Sequence, residues 1–158
     1  MVIGVVAGVL GITVEQLTVV VATHELAHAY SHLGRDIDGK KWDTEAFARA
    51  DLNIVEGIAQ FYTEVVSRKL ETRNPLVLPA YKKLTDIQRG PYRVHEEWAK
   101  RKSAGRDVPM PQAGEIVRAT LVQCRSRRIS DYGVMQQIIA NSAKQLAGSA
   151  IAGEQSAM

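Results

Sequence analysis

Cysteine is almost absent from this sequence, since Cys124 is the only one among 158 residues. A lone cysteine can form no disulfide within the chain, and it excludes a zinc site built from two or more thiolates. The chain is long enough to bury a core without disulfides. Because disulfides accumulate in oxidising compartments, the scarcity of cysteine fits a reducing one, and we expect a cytoplasmic protein.

Basic residues are missing from the first part of the chain, where none occurs before Arg35. The apolar segment 2–12 therefore lacks the basic start of a signal peptide. It is also too short to cross a bilayer, so we expect no membrane span. Its glycines at positions 4, 8 and 11 disfavour a helix. We predict a buried strand or a packed lead-in there, the only strand element expected in the chain.

Aromatic residues are few, at 6% of the chain, and the charges are unevenly placed. Residues 1–66 carry 4 Lys and Arg against 9 Asp and Glu, whereas residues 67–158 carry 16 against 8. A basic half could face a polyanion. Nucleic-acid-binding surfaces also combine basic with aromatic residues, and no such pattern stands out. We interpret the basic half as solvated helical surface and do not expect nucleic acid as a partner.

Capping signals and apolar spacing predict a mainly α-helical chain. The sequence TVEQ at 13–16 is a capping box, and the apolar run after it predicts a helix over 14–33 that ends at Gly34. A second helix is predicted over 44–73, ended by Asn-Pro at 74–75, with a bend possible near residue 53. Further helices are predicted from residue 79 to about 102, with a break at Gly90-Pro91, and over 114–128 and 131–147. We predict one domain over 1–148 and a flexible tail over 149–158.

The sequence HELAH at 24–28 is an HExxH motif. On a helix, residues four apart lie about 40° apart around the axis and about 6 Å along it, so His24 and His28 can converge on one metal ion. Glu25 stands beside them, placed to take a proton from water at the metal. The two histidines could instead each bond a backbone carbonyl, but the adjacent glutamate and the capped helix favour the metal. Imidazole and carboxylate ligands with an open position favour zinc.

His32 continues the histidine stripe, but it lies about 12 Å from His24 along a straight helix axis. We therefore expect it at the rim of the site or at the helix end, and not among the ligands.

A catalytic zinc site needs a third protein ligand. His95 is possible, and the better candidates are four carboxylates on the next predicted helix: Glu45, Asp51, Glu56 and Glu64. If the loop after the first helix simply reverses the chain, counting turns places Asp51 and Glu56 level with the histidines. Glu45 then comes rather early and Glu64 rather late. Spacing alone leaves these alternatives open.

The combination of HELAH with EGIAQFYTE, which begins at Glu56 after 27 intervening residues, resembles the gluzincin group of zinc metallopeptidases within the zincins. The resemblance covers about residues 14–70, and the gap is similar to that in ImmA/IrrE-like regulatory peptidases. It implies a zincin-like helical domain in which His24, His28 and Glu56 hold Zn²⁺ and Glu25 is the general base. It also implies a peptide or protein substrate. Because no upstream sheet is predicted, a regulatory or non-catalytic zinc-binding module is the alternative.

Four more residues are candidates for supporting roles. His95, Tyr62 and Tyr92 could each stabilise an oxyanion if folded over the zinc. Asp51 could orient a ligating imidazole. The alternatives are ordinary packing for the tyrosines, a solvated histidine for His95, and a solvated or ion-paired helix charge for Asp51.

Overall fold

The computed structural model describes residues 2–34, 41–99, 102–103 and 106–107, together with residues 133, 134, 136, 137 and 141. As predicted, this part of the chain is mainly α-helical. Its helices are α1 (Val2–Leu10), α2 (Val14–Leu33), α3 (Thr44–Ala48), α4 (Leu52–Leu70), α5 (Val77–Ile87), a 3₁₀ turn (Gly90–Arg93) and α6 (Val94–Ala99). A two-stranded antiparallel ribbon follows, formed by β1 (Lys102–Ser103) and β2 (Arg106–Asp107). The predicted helix over 114–128 and the tail over 149–158 lie outside the described residues.

The prediction of an N-terminal strand was wrong, because residues 2–10 form the helix α1. Glycine costs a helix about 1 kcal/mol per position, but α1 recovers more by burying Ala7 and Leu10 against Leu17 of α2. The helix ends at Gly11, whose φ of +59° is one that glycine adopts without strain. The N–H of Ile12 donates to the carbonyl of Ala7, which completes a Schellman cap.

Helix α2 has the predicted bounds, and its capping box is formed. The N–H of Gln16 donates to Thr13 Oγ1 at 3.2 Å, and the N–H of Thr13 donates to Gln16 Oε1 at 2.9 Å. Two free N–H groups at the helix start are thereby satisfied. At the other end, Gly34 donates its N–H to the carbonyl of Tyr30. Its φ is −64°, so the helix ends without the left-handed residue that the glycine had suggested.

The helix predicted over 44–73 is two helices, α3 and α4, separated by residues 49–51. Asp51 causes the break because its Oδ1 accepts from the N–H of Asn53 at 2.7 Å and caps α4. Aspartate favours such cap positions over the interior of a helix. The consequence is that α4 begins only four residues before Glu56.

The largest helix–helix interface in the described part of the chain joins α2 to α4, as predicted for the motif helix and the glutamate-bearing helix. On α4, Ile54, Ile58 and Phe61 are fully buried. Each such side chain stabilises the fold by about 1.5–3 kcal/mol through burial. The interface between the two helices, which we call the seam, is therefore well packed, and side chains that meet across it are held in place.

Helix α5 packs against both α2 and α4, and its Val77, Leu78 and Tyr81 are buried. The predicted break at Gly90-Pro91 is a 3₁₀ turn that leads into α6, and both pack against α4. Gly90, with φ +60°, allows the chain to reverse there. This return brings Tyr92 and His95 back onto α4.

Among the described residues, no single helix is long and apolar enough to cross a bilayer. Helices α1 and α2 meet that requirement only as a pair, and they are bent by 112° across the break.

Candidate metal centre

Three side chains meet at the seam between α2 and α4. His24 Nε2 lies 3.1 Å from Glu56 Oε2 and 3.0 Å from His28 Nε2, and His28 Nε2 lies 3.4 Å from Glu56 Oε2. The three side chains are 14%, 21% and 16% exposed, for His24, His28 and Glu56 respectively. These atoms are close enough to hold one metal ion.

With Glu56 as a carboxylate, hydrogen bonds among these three side chains cannot satisfy all three contacts. If the Nε2–H groups of His24 and His28 both donate to Glu56, two N–H groups face each other at 3.0 Å. If instead one imidazole nitrogen accepts from the other, it cannot also donate to Glu56. A cation between the three atoms satisfies all three lone pairs. Ligands about 2.0–2.1 Å from a tetrahedral zinc ion lie about 3.3 Å from one another, which matches the three distances observed here.

The electrostatics of His24 also suit a metal ligand. Burial lowers the pKa of His24, and the neighbouring His28 lowers it further, against the opposing charge of Glu56. The neutral imidazole, which is the form that binds metals, is therefore favoured at neutral pH. The donor set of two imidazoles and one carboxylate is one that zinc accepts.

Glu56 is the only one of the four candidate carboxylates that joins the histidines among the described residues. Glu45 is exposed and paired with Arg49 on α3. Glu64 accepts from Arg68 at 2.6 Å, one turn further along α4. Asp51 caps α4. The other three candidates for the third ligand are therefore engaged elsewhere, two in local ion pairs and one in a helix cap.

Asp51 was also a candidate for orienting an imidazole. Its Oδ1 instead accepts from both the backbone and the side chain of Asn53. The Nδ1 atom of His24 is buried and has no hydrogen-bond partner among the described residues. The structure therefore does not connect Asp51 to His24.

Glu25 is exposed on α2, immediately after His24 in the chain. The charge of Glu25 acts on the nearby Tyr92. The pKa of the Tyr92 phenol is raised most by the charge of Glu56 and to a lesser extent by that of Glu25. The Tyr92 ring lies 6.2 Å from the His24 ring, centroid to centroid, and is partly exposed. Of the three candidate oxyanion stabilisers, Tyr92 is the one whose ring contacts a member of this candidate metal-binding group.

The other two candidates lie elsewhere. Tyr62 packs edge-on against Tyr30 at 5.5 Å and Phe61 at 5.8 Å. His95 is 1% exposed, and its Nε2 shares a 2.7 Å hydrogen bond with the hydroxyl of Tyr81. The sequence reasoning missed Tyr81, a polar aromatic residue on the buried face of α5.

His32 lies outside the ligand group, as predicted. Its Nε2 is 3.1 Å from Thr44 Oγ1, and its ring stacks on Phe47 with centroids 4.7 Å apart. It ties the end of α2 to α3.

Comparison of the chain with protein-family models, curated proteins and solved structures finds no match, so the features described above are the basis for assigning a function.

Proposed function

We propose that the protein is a zinc-dependent metallohydrolase that cleaves peptide bonds. The observation that carries this proposal is the convergence of His24, His28 and Glu56, with the exposed carboxylate of Glu25 next to His24 in the chain. An HExxH helix that supplies two ligands and a neighbouring glutamate is the arrangement typical of zinc peptidases. It is the pattern expected when a metal site must keep one position for water or substrate.

When bound, zinc makes water acidic enough to attack near neutral pH and polarises the scissile carbonyl. Glu25 accepts the proton of the attacking water and later delivers it to the leaving amine. Its exposed position on α2 leaves it free to make both transfers. Tyr92 donates a hydrogen bond from its phenol to the developing oxyanion, and its raised pKa keeps that proton on the phenol.

Three glutamate substitutions test the proposal, with zinc content and peptide hydrolysis as the measurements. Glu25→Gln should retain zinc and lose activity by about 10²–10⁴-fold, the usual contribution of a general base. Glu56→Gln should lose zinc and activity together. Glu45→Gln, on the neighbouring helix and outside the ligand group, is the matched control and should retain both.

Two results would overturn parts of this proposal. Wild-type protein that binds no zinc would remove the metal centre altogether. Full peptidase activity in Glu25→Gln would remove that residue as the base and leave the zinc site intact.

A second candidate function is a regulatory zinc-binding module. One observation favours it: the described residues before α2 form a helix, so they supply no strand edge on which an extended peptide could lie. Cobalt-substituted protein separates the two functions. A visible spectrum that changes on adding azide indicates an open ligand position and supports the hydrolase, whereas an unchanged four-coordinate spectrum supports the regulatory module.

A further inference from the structure

The segment from Gly90 to Ala99 presents one residue to the metal centre and buries another. Tyr92, in the 3₁₀ turn, has its ring centroid 6.2 Å from that of His24 and is partly exposed. His95, three residues later in α6, is almost completely buried. The segment is short, and its internal ion pair between Arg93 and Glu96, at 2.8 Å, lies near the surface. The 3₁₀ turn itself packs against α4, and the buried side of the segment adds a second attachment.

His95 makes that buried attachment. Its Nε2 lies 2.7 Å from the hydroxyl of Tyr81 on α5 and 3.7 Å from Glu64 Oε2 on α4. Tyr81 is itself buried, and its hydroxyl lies 3.5 Å from the backbone oxygen of Gln60. We call His95, Tyr81 and Glu64 the anchor cluster.

The anchor cluster and the metal centre share one helix. Glu56 and Glu64 are both on α4, eight residues apart, which is about 12 Å along the axis. A packed helix of this length is rigid, so a segment that packs on α4 beside Glu64 is also held relative to Glu56. The anchor cluster can therefore hold Tyr92 in position relative to Glu56, although the cluster lies at a different place along α4.

We infer that His95 is a positioning residue, which holds Tyr92 over the metal centre through its hydrogen bond to Tyr81. This inference rests on the proposed function as far as catalysis is concerned, because it assigns Tyr92 to the oxyanion. The placement of Tyr92 itself does not depend on turnover.

The test removes the Tyr81 hydroxyl and keeps its ring, with Tyr81→Phe. We expect kcat to fall about two- to tenfold, the range that one lost hydrogen bond supports, while KM and zinc affinity stay unchanged. In a Tyr92→Phe background the same substitution should have no further effect, because the hydroxyl that the cluster positions is gone. Tyr30→Phe, the same change on α2 away from the anchor cluster, should leave kcat unchanged.

Additive losses from Tyr81→Phe and Tyr92→Phe would overturn the inference, since they would show that Tyr81 acts independently of Tyr92. Substitution of His95 gives a second test of the inference, which does not require the Tyr81→Phe variant to fold well. His95→Gln can still bond the Tyr81 hydroxyl and should retain more of kcat than His95→Leu. Equal values for these two variants would also count against the inference.

A readout without turnover keeps this inference separate from the proposed function. In zinc-loaded protein we expect a nuclear Overhauser contact between ring protons of Tyr92 and His24, weakened in Tyr81→Phe and His95→Leu. An undiminished contact in both variants would overturn the positioning role. A wild-type protein that shows the contact but cleaves no peptide would sink the hydrolase and leave the positioning role standing.

Discussion

Two histidines of α2, His28 and His32, lie one helical turn apart and make different contacts. His28 Nε2 faces His24 and Glu56 at 3.0 Å and 3.4 Å. His32 instead stacks on Phe47 and contacts a hydroxyl on α3. At the scale of the residue, function follows from these contacts and not from residue type.

His28→Ala should therefore weaken zinc binding by more than about 100-fold. Loss of a group that merely supports a ligand costs about 10–100-fold, and loss of a ligand itself should exceed that range. His32→Ala is the matched control, a histidine removed from the same helix, and it should keep the wild-type affinity. Competition with a chromophoric chelator measures both. Equal affinities of the two variants would contradict the ligand assignment.

His95 makes the stability of the protein depend on pH. Burial holds the pKa of His95 below its ordinary value of 6.5, and burial prevails over the opposing charges of Glu64 and Glu96. Just below pH 6.5 the unfolded chain therefore binds more protons than the folded one, so stability rises with pH there. The contribution is complete above about pH 6.5 and is lost as the pH falls below that value.

We expect the free energy of unfolding of the metal-free protein to fall between pH 6.5 and pH 5, and His95→Gln to make that fall shallower. Urea unfolding at a series of pH values measures it. His24, whose pKa burial also lowers, adds a slope of the same sign, so the difference between wild type and variant is the test. Parallel curves for the two proteins would contradict a buried neutral His95.

At the scale of the element, two glycines at helices show opposite constraints. A Cβ added at Gly8, within α1, would meet nothing within 4 Å. A Cβ added at Gly34, at the end of α2, would lie 2.4 Å from the carbonyl oxygen of Tyr30. That oxygen already accepts the Gly34 N–H at 2.9 Å, so it cannot move away without loss of the helix end.

Gly8→Ala should raise the free energy of unfolding by about 0.5–1 kcal/mol, the helix-propensity difference between the two residues. Gly34→Ala should lower it by about 1–3 kcal/mol, as overpacking does. Chemical denaturation measures the free energy of unfolding of both variants, and each variant serves as the other's control. A loss of stability in Gly8→Ala would mean that α1 is not a packed helix.

The helices show how far local pattern can predict structure. The capping box and apolar run of α2 gave its bounds correctly, because both signals are local and agree. The glycines of segment 2–12 led to a wrong prediction at α1, because burial of Ala7 and Leu10 outweighs the low helix propensity of glycine. A bend was predicted near residue 53, and the break lies at residues 49–51, where the Asp51 side chain caps a new helix although the apolar spacing continues through it.

At the scale of the whole molecule, the candidate metal centre was predictable in part. The HExxH spacing gave His24 and His28, and the count of turns narrowed the third ligand to Asp51 and Glu56. Packing of α2 against α4 brings Glu56 to the histidines, whereas Glu64 pairs locally with Arg68 and Asp51 forms a cap. Tyr92 was among the candidates, but its position near His24 and the hydrogen bond between His95 and Tyr81 could not be predicted, because both depend on tertiary packing that no periodic pattern encodes.

The site also couples the two central helices of the described chain. His24 and His28 belong to α2 and Glu56 belongs to α4, so an ion bound by all three bridges the seam on which the fold is built. Such an ion binds the folded chain in preference to the unfolded one. Binding therefore adds directly to the stability of the whole molecule.

We expect zinc at one hundred times its dissociation constant to stabilise the protein by about 2.7 kcal/mol. In a domain of this length that gain raises Tm by about 5–10 °C. Calorimetry of the metal-free and zinc-loaded protein measures the shift, which a chelator should reverse. Glu56→Gln, which removes the only ligand on α4, should abolish most of the shift, whereas Glu45→Gln should preserve it. An equal shift in wild type and Glu56→Gln would mean that zinc binds without bridging α2 and α4, and the metal centre would have to be placed elsewhere.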